Sequence, residues 1–257
     1  MMRPRALITG ASSGLGRGYA HNLAADGYDL VLVARSEERL RELAERLESE
    51  HRIRAEVVVA DLSTRTGIDA VVAVIEQSRV DVLINNAGYG LKHRLLESTP
   101  EELRDQDTVL VGAVRELSLA AARRMRDRGR GGIVNVSSMA AVTTMGLYAA
   151  AKMSTLVFTE ALAGELRGTP VTVTAVLPGF IKTEFHQRLG VERSGPDWIW
   201  LSVRQVVAES LRDARRGRTV SVPGITYSLA ARVVPFVPRR LIRRGSAGFA
   251  FGRRRED

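Results

Sequence analysis

Short apolar runs alternate with longer amphipathic stretches through the first 90 residues, separated by turn-forming residues. That is the pattern of strands joined by crossover helices. Strands are expected over 5–9, 29–33, 57–60, 80–84, 133–136, 171–177 and 219–222, and helices over 14–26, 37–50, 100–128, 147–167 and 203–215. Gly27 ends the first helix and Ser36 caps the second, where Leu40, Leu43 and Leu47 fall on one stripe among charged neighbours. Six or seven strands with crossover helices imply one doubly wound α/β domain with a mostly parallel sheet, because right-handed crossovers place helices on both faces. There is no internal repeat and no Pro-, Gly- or Ser-rich linker. Residues 1–224 are therefore read as one domain, including a lid segment over 180–200, and residues 225–257 as a basic C-terminal tail.

Composition narrows the class. Of 257 residues, 45% are hydrophobic and only 5% aromatic, which suits helices packed on a buried parallel sheet. With no Cys there is no disulfide framework, no thiolate metal site and no Cys nucleophile. The His residues at 21, 51, 93 and 186 make no His-x-x-x-His pair, so no metal is expected. The few residues before the first apolar run leave no room for a secretory signal, and a cytoplasmic location is expected. Net charge is +9, and eight Arg against Glu256 and Asp257 put six of those charges beyond residue 231. Such a tail attracts anionic surfaces.

Thr9-Gly10-Ala11-Ser12-Ser13-Gly14-Leu15-Gly16 follows the first strand and opens the first helix. Glycines there permit a tight turn and let backbone amides approach a pyrophosphate, which the helix N-terminus also attracts. Gly10-Ala11-Ser12-Ser13-Gly14 also fits the G-x-S-x-G elbow of serine hydrolases, with Ser12 as nucleophile and His186 as base. That alternative lacks an earlier strand–helix loop to supply the second oxyanion amide. An NAD site wants an acidic residue about 20 positions beyond the glycines, to bond the ribose 2′-hydroxyl. The sequence instead reads Ala34-Arg35-Ser36, and a guanidinium suits the 2′-phosphate of NADP(H). Arg17 and Arg39 add positive potential nearby.

Tyr148-Ala149-Ala150-Ala151-Lys152 sets a phenol and an ammonium four apart, on one helix face. A phenol with pKa near 10 needs a neighbouring cation to exchange protons at neutral pH, and a drop of about three units corresponds to roughly 4 kcal/mol. Together these residues resemble the short-chain dehydrogenase/reductase family, from about Arg5 to Glu184 and more loosely to Pro223. Thr9, Gly10, Gly14 and Gly16 match its cofactor turn, Asp61-Leu62 its adenine contact and Asn85-Asn86-Ala87-Gly88 its fourth-strand motif. Asn135-Val136-Ser137-Ser138 matches the strand with its catalytic serine, and Pro178-Gly179 with Thr183 its nicotinamide-side segment. The resemblance implies a Rossmann-type fold and interconversion of a secondary alcohol and a ketone. Tyr148 would be the general acid/base, Lys152 would lower its pKa and hold the nicotinamide ribose, and Ser138 would orient the substrate oxygen. It also implies a homodimer or homotetramer, assembled through the two long helices.

Two departures stand out. The family's Asn-x-x-Gly, whose Asn helps anchor a relay water, is here Val109-Leu110-Val111-Gly112, which leaves Thr108 as a substitute or turnover reduced. A catalytically weak NADP(H)-binding sensor or scaffold is the corresponding alternative. Ser138 and Tyr148 are ten apart rather than the family's commoner thirteen, so Ser137 stays open as the working serine. In the lid, Phe180, Phe185, Trp198, Ile199 and Trp200 either cover an apolar carbonyl or alcohol substrate or pin a loop to the core. The tail, too short for a spanning helix, either makes peripheral membrane contact or folds over the active-site opening or a neighbouring subunit. No nucleic-acid partner is expected.

Overall fold

The computed structural model describes residues 3–91, 95–183 and 196–247. Its sheet comprises β1 (Arg5–Thr9), β2 (Asp29–Ala34), β3 (Ala55–Val59), β4 (Val82–Asn85), β5 (Gly131–Val136), β6 (Val171–Val176) and β7 (Val220–Ser221). Their order is β3-β2-β1-β4-β5-β6-β7. Every pairing is parallel, with Ala6 facing both Leu30 and Val82, and Asn85 facing Asn135. The winding reverses between β1 and β4, which opens a crevice at the carboxyl ends of those two strands.

Central strands covered on both faces are built from continuous apolar runs, and Leu7, Ile8, Val31, Leu32, Leu83 and Ile84 are fully buried. The edge strand β3 instead leaves Val59 49% exposed. Helices α1 (Gly14–Ala25), α2 (Glu37–His51) and α7 (Val203–Arg215) cover one face. Helices α3 (Arg65–Gln77), α5 (Val114–Arg128) and α6 (Gly146–Glu165) cover the other.

The structure adds α3 to the elements expected from the sequence. Thr64 caps it by accepting from Gly67 N, and Ile68, Val71 and Ile75 bury one stripe. The expected helix over 100–128 is broken: α4 (Pro100–Asp107) leads into a π-helical segment over Thr108–Ala113, and α5 follows. A capping box between Thr99 and Glu102 starts α4. After β7 come α8 (Ile225–Val233), a 3₁₀ turn (Val234–Phe236) and α9 (Arg239–Ala247). Among the described residues no helix is long and apolar enough to cross a membrane, and no three His, Cys, Asp or Glu could hold a metal.

Candidate active site

The glycine turn is shaped by close approach. Gly10 has φ 67°, and a side chain there would come within 2.9 Å of Ala87 Cα and Asn86 Nδ2. A Cβ on Gly16 would collide with Gly10 O. The turn therefore lies bare between β1 and the N-terminus of α1, the backbone cradle a pyrophosphate requires. Thr9 and Asn86 tie it to β4. Thr9 Oγ1 accepts from Asn86 N and Ala87 N, both at 3.0 Å, while Asn86 Nδ2 donates to Thr9 O at 3.0 Å and Gly10 O at 3.3 Å.

Ser13 is the N-cap of α1, and Leu15 buries its side chain in the core, so only its backbone faces the turn. Gly14 lies against Thr183, whose Cβ would be 3.6 Å from an added side chain. Ser12 lines a polar cleft of ≈ 230 Å³ between α1 and α2, with Arg17, Arg39, Glu42 and Arg46. Among the described residues no histidine lines that cleft; His186, the base of the hydrolase alternative, lies outside them, as do Phe185 and His93.

At the ends of β2 and β3, Arg35 and Asp61 face each other. The Arg35 guanidinium is 75% exposed and 3.8 Å from Asp61 Oδ2. Burial pushes the Asp61 carboxyl up, but hydrogen bonds from Ser63 and the charge of Arg35 outweigh it and hold the group below its ordinary value. Ser63 donates through its backbone N at 2.9 Å and its hydroxyl at 2.8 Å. Leu62 is buried in the core.

Helix α6 delivers the second half of the site. Tyr148 and Lys152 stand one turn apart, with Lys152 Nζ 5.7 Å from the Tyr148 ring centroid. Lys152 is 4% exposed, and Nζ donates to Val136 O at 2.7 Å. Burial lowers its pKa to about 8. Burial also pushes the Tyr148 phenol up to about 12, opposed by its hydrogen bond with Ser138. Desolvation thus dominates the phenol, and the only group that opposes it is Ser138 rather than Lys152.

The two serines separate cleanly. Ser138 bonds Tyr148 and accepts from Ala140 N at 3.0 Å, capping a 3₁₀ turn. Ser137 is 1% exposed and donates to Lys152 O at 2.7 Å. The ten-residue spacing therefore still joins Ser138 to the phenol. Gly88 packs beneath the ammonium, where an added Cβ would sit 3.6 Å from Lys152 Nζ and 2.7 Å from Leu110 Cδ2.

Val109 lies within the π-helical segment and is buried in the core. The neighbouring Thr108 donates its hydroxyl to Arg104 O at 2.8 Å on its own helix. A buried polar ladder that the sequence reading does not identify lies below. Asn85 Nδ2 donates to Ser118 and to Asn135 Oδ1, both at 2.9 Å, Asn135 Nδ2 donates to Thr159 at 3.0 Å, and Thr155 donates to Leu110 O at 3.0 Å.

The segment that follows β6, expected to face a nicotinamide, is anchored by its neighbours. Pro178 O accepts from Met139 N at 2.9 Å, and Ile181 bridges to Leu201. The two tryptophans have opposite fates. Trp200 is 8% exposed and tilts against Phe180 at 5.2 Å, whereas Trp198 is 66% exposed. Tyr227 of α8, which the sequence gives no reason to single out, lies flat on Gly179 so closely that any Cβ there would strike its ring. Its hydroxyl accepts from Phe180 N at 3.1 Å and donates to Ile199 O at 2.8 Å.

Comparisons with known proteins place the chain among relatives of the same fold. A family model described as short chain dehydrogenase matches residues 4–193. The short-chain reductase protein NovJ of Streptomyces niveus is 36% identical over 245 residues, 91% of this chain and 86% of that protein. A short-chain dehydrogenase from Sphingobium yanoikuyae, solved in complex with NADPH, superposes with a TM-score of 0.85 at 31% identity, covering 99% of this chain and 98% of that one. A bulky-bulky ketone specific alcohol dehydrogenase from Comamonas testosteroni gives 0.81 at 27% identity, covering 99% and 96%.

Proposed function

The chain belongs to the short-chain dehydrogenase/reductase family and is an oxidoreductase; from that premise we infer that it uses NADP(H) to interconvert an apolar ketone and its secondary alcohol. The bound nicotinamide would supply or accept the hydride. Gly10, Ser12, Ser13, Gly14, Leu15 and Gly16 would hold the pyrophosphate, Arg35 the 2′-phosphate, and Asp61 with Leu62 the adenine side. Asn86, Ala87, Gly88, Pro178, Gly179 and Thr183 would flank the nicotinamide half.

Tyr148 would give its proton to the carbonyl oxygen, Ser138 would orient that oxygen, and Lys152 would hold the ribose and favour the phenolate that remains. One observation carries this reading: a phenol bonded to Ser138 stands one turn from a buried lysine that packs on Gly88, and the adjoining Ala87 packs on the bare glycine turn. The exposed Arg35 supports NADP(H) over NAD. The NADPH-bound and ketone-specific neighbours are consistent with both the cofactor and the substrate class.

Fluorescence titration with NADPH and NADH, followed by a carbonyl panel read at the cofactor absorbance, tests the proposal. Tighter NADPH binding and turnover of apolar ketones are expected. Turnover of small polar carbonyls alone would overturn the substrate class. Val109 favours one second reading, a weakly catalytic NADP(H) binder, for which tight NADPH binding with no carbonyl-dependent oxidation is the distinguishing result. Assembly as a homodimer or homotetramer through α5 and α6 belongs to the same proposal. Val157, 56% exposed on α6, is an apolar side chain such an interface would cover.

A further inference from the structure

Among the described residues, five of the ten large apolar side chains left open to solvent lie within residues 225–241 at the C-terminal end. Ile225, Leu229 and Val233 recur four apart on α8, Phe236 follows in the 3₁₀ turn and Leu241 lies on α9. Ile225 is 82% exposed and Phe236 86%. Between and beyond them Arg232, Arg239, Arg240, Arg243 and Arg244 are all exposed. No Asp or Glu occurs between Asp213 and Glu256.

This surface adjoins the active-site opening. Ser246 of α9 accepts from Thr144 N at 3.3 Å, in the loop that leads into α6 and Tyr148. Tyr227 of α8 bonds Phe180 and Ile199 on either side of the lid. Leu95, 54% exposed, lies against Gly146 at the start of α6.

We propose that α8 and α9 form a docking surface for anionic lipid bilayers, which brings the active-site opening against the membrane and admits a lipid-soluble carbonyl substrate from it. Aliphatic and aromatic groups flanked by arginines, with no acidic residue on α8, the 3₁₀ turn or α9 themselves and Glu209 engaged at the first end of α8, match an interface of acyl chains below negative headgroups. A second copy of the same surface is a poor occupant, because it would set arginines against arginines with no carboxylate on either α8 or α9. The substrate half of the proposal rests on the reading of the protein as a ketone reductase, but the docking half does not.

Flotation of the full chain with phosphatidylcholine vesicles, and with vesicles of equal phosphatidylcholine and phosphatidylglycerol, is the test. The protein is expected to float only with the anionic vesicles and to be released by high salt. Changing Arg239, Arg240, Arg243 and Arg244 to Gln should weaken binding by about fivefold per arginine. Combining Ile225→Ser, Leu229→Ser and Phe236→Ser should abolish it even at low salt. Both variants should keep wild-type NADPH affinity and turnover of a water-soluble ketone.

Failure to float with anionic vesicles overturns the proposal. So does vesicle binding that neither variant alters. A fall in oligomer size in the serine variant without vesicle binding overturns it in favour of a subunit interface, and binding to polyglutamate that the serine variant retains overturns it in favour of an acidic protein. A protein that floats yet reduces no carbonyl keeps the docking surface and instead removes the functional reading.

Discussion

Burial sets the protonation of both groups at the centre of the site, in opposite senses. Tyr148 keeps its proton and Lys152 is ready to lose its own, so each is pushed toward the neutral form. The unfolded chain holds the lysine proton up to its ordinary value of 10.5, whereas the folded chain releases it at about 8. Between those values the unfolded state binds more protons, so this group makes stability rise with pH across that window. Lys152→Met should therefore raise the melting temperature at neutral pH, by about 1–3 kcal/mol of stability, while turnover is lost. Calorimetry across pH with a parallel assay checks both. NADPH affinity in the wild type should fall as pH climbs through about 8 and the ammonium is lost. Tyr148→Phe should lower kcat by about 10²–10⁴ and leave cofactor affinity nearly unchanged. Arg35→Ala should weaken NADPH by roughly ten- to a hundredfold, as expected for losing a charged hydrogen bond of about 1.5–3 kcal/mol, with little effect on NADH. Titration of the two coenzymes separates these outcomes.

Elements hold these residues in register, and the glycine turn shows how little room there is. Gly16→Ala would drive a methyl into Gly10 O, and overpacking of this kind costs about 1–3 kcal/mol. A lower melting temperature together with weaker NADPH binding is the expected result. The turn, the Tyr148–Lys152 pair and the β-strands were legible in the sequence because each is a local pattern: glycine spacing, a helical interval of four, an apolar run. Helix α3 was not, because its stripe of Ile68, Val71 and Ile75 is short and carries Gly67 in its first turn, which weakens the helical signal. The π-helical segment was hidden for another reason. Thr108–Ala113 continues the apolar periodicity of its neighbours, and only the backbone hydrogen bonding changes. Choosing Ser138 over Ser137 likewise needed coordinates, since adjacent residues with the same side chain differ only in direction. The buried ladder from Asn85 to Thr159 joins four elements that no short window of sequence contains together.

The whole molecule has a charged pole opposite its reactive one. At the amino ends of the strands, Asp81 accepts from Arg5 N at 3.0 Å and from Arg79 Nε at 3.0 Å, with Arg128 and Arg130 within 4.0 Å. Asp81 is 9% exposed, so its removal would leave three guanidinium groups crowded without a counter-charge. Asp81→Ala is expected to destabilise the fold by about 3–5 kcal/mol, the range for breaking a largely buried ion pair, with kcat unchanged. Denaturant unfolding beside an activity assay distinguishes this from damage to the site.

The contact between Tyr227 and Gly179 couples two distant segments, since no side chain fits at 179 while the ring of Tyr227 is in place. Segment exchange between homologues, an obvious route to a new substrate range, therefore has a compatibility rule built in. A graft ending before residue 227 that introduces any larger residue at 179 would jam against the ring, and a donor tail lacking the aromatic would leave a void beneath the cofactor's neighbour. Successful chimeras will be those that inherit both positions from one parent.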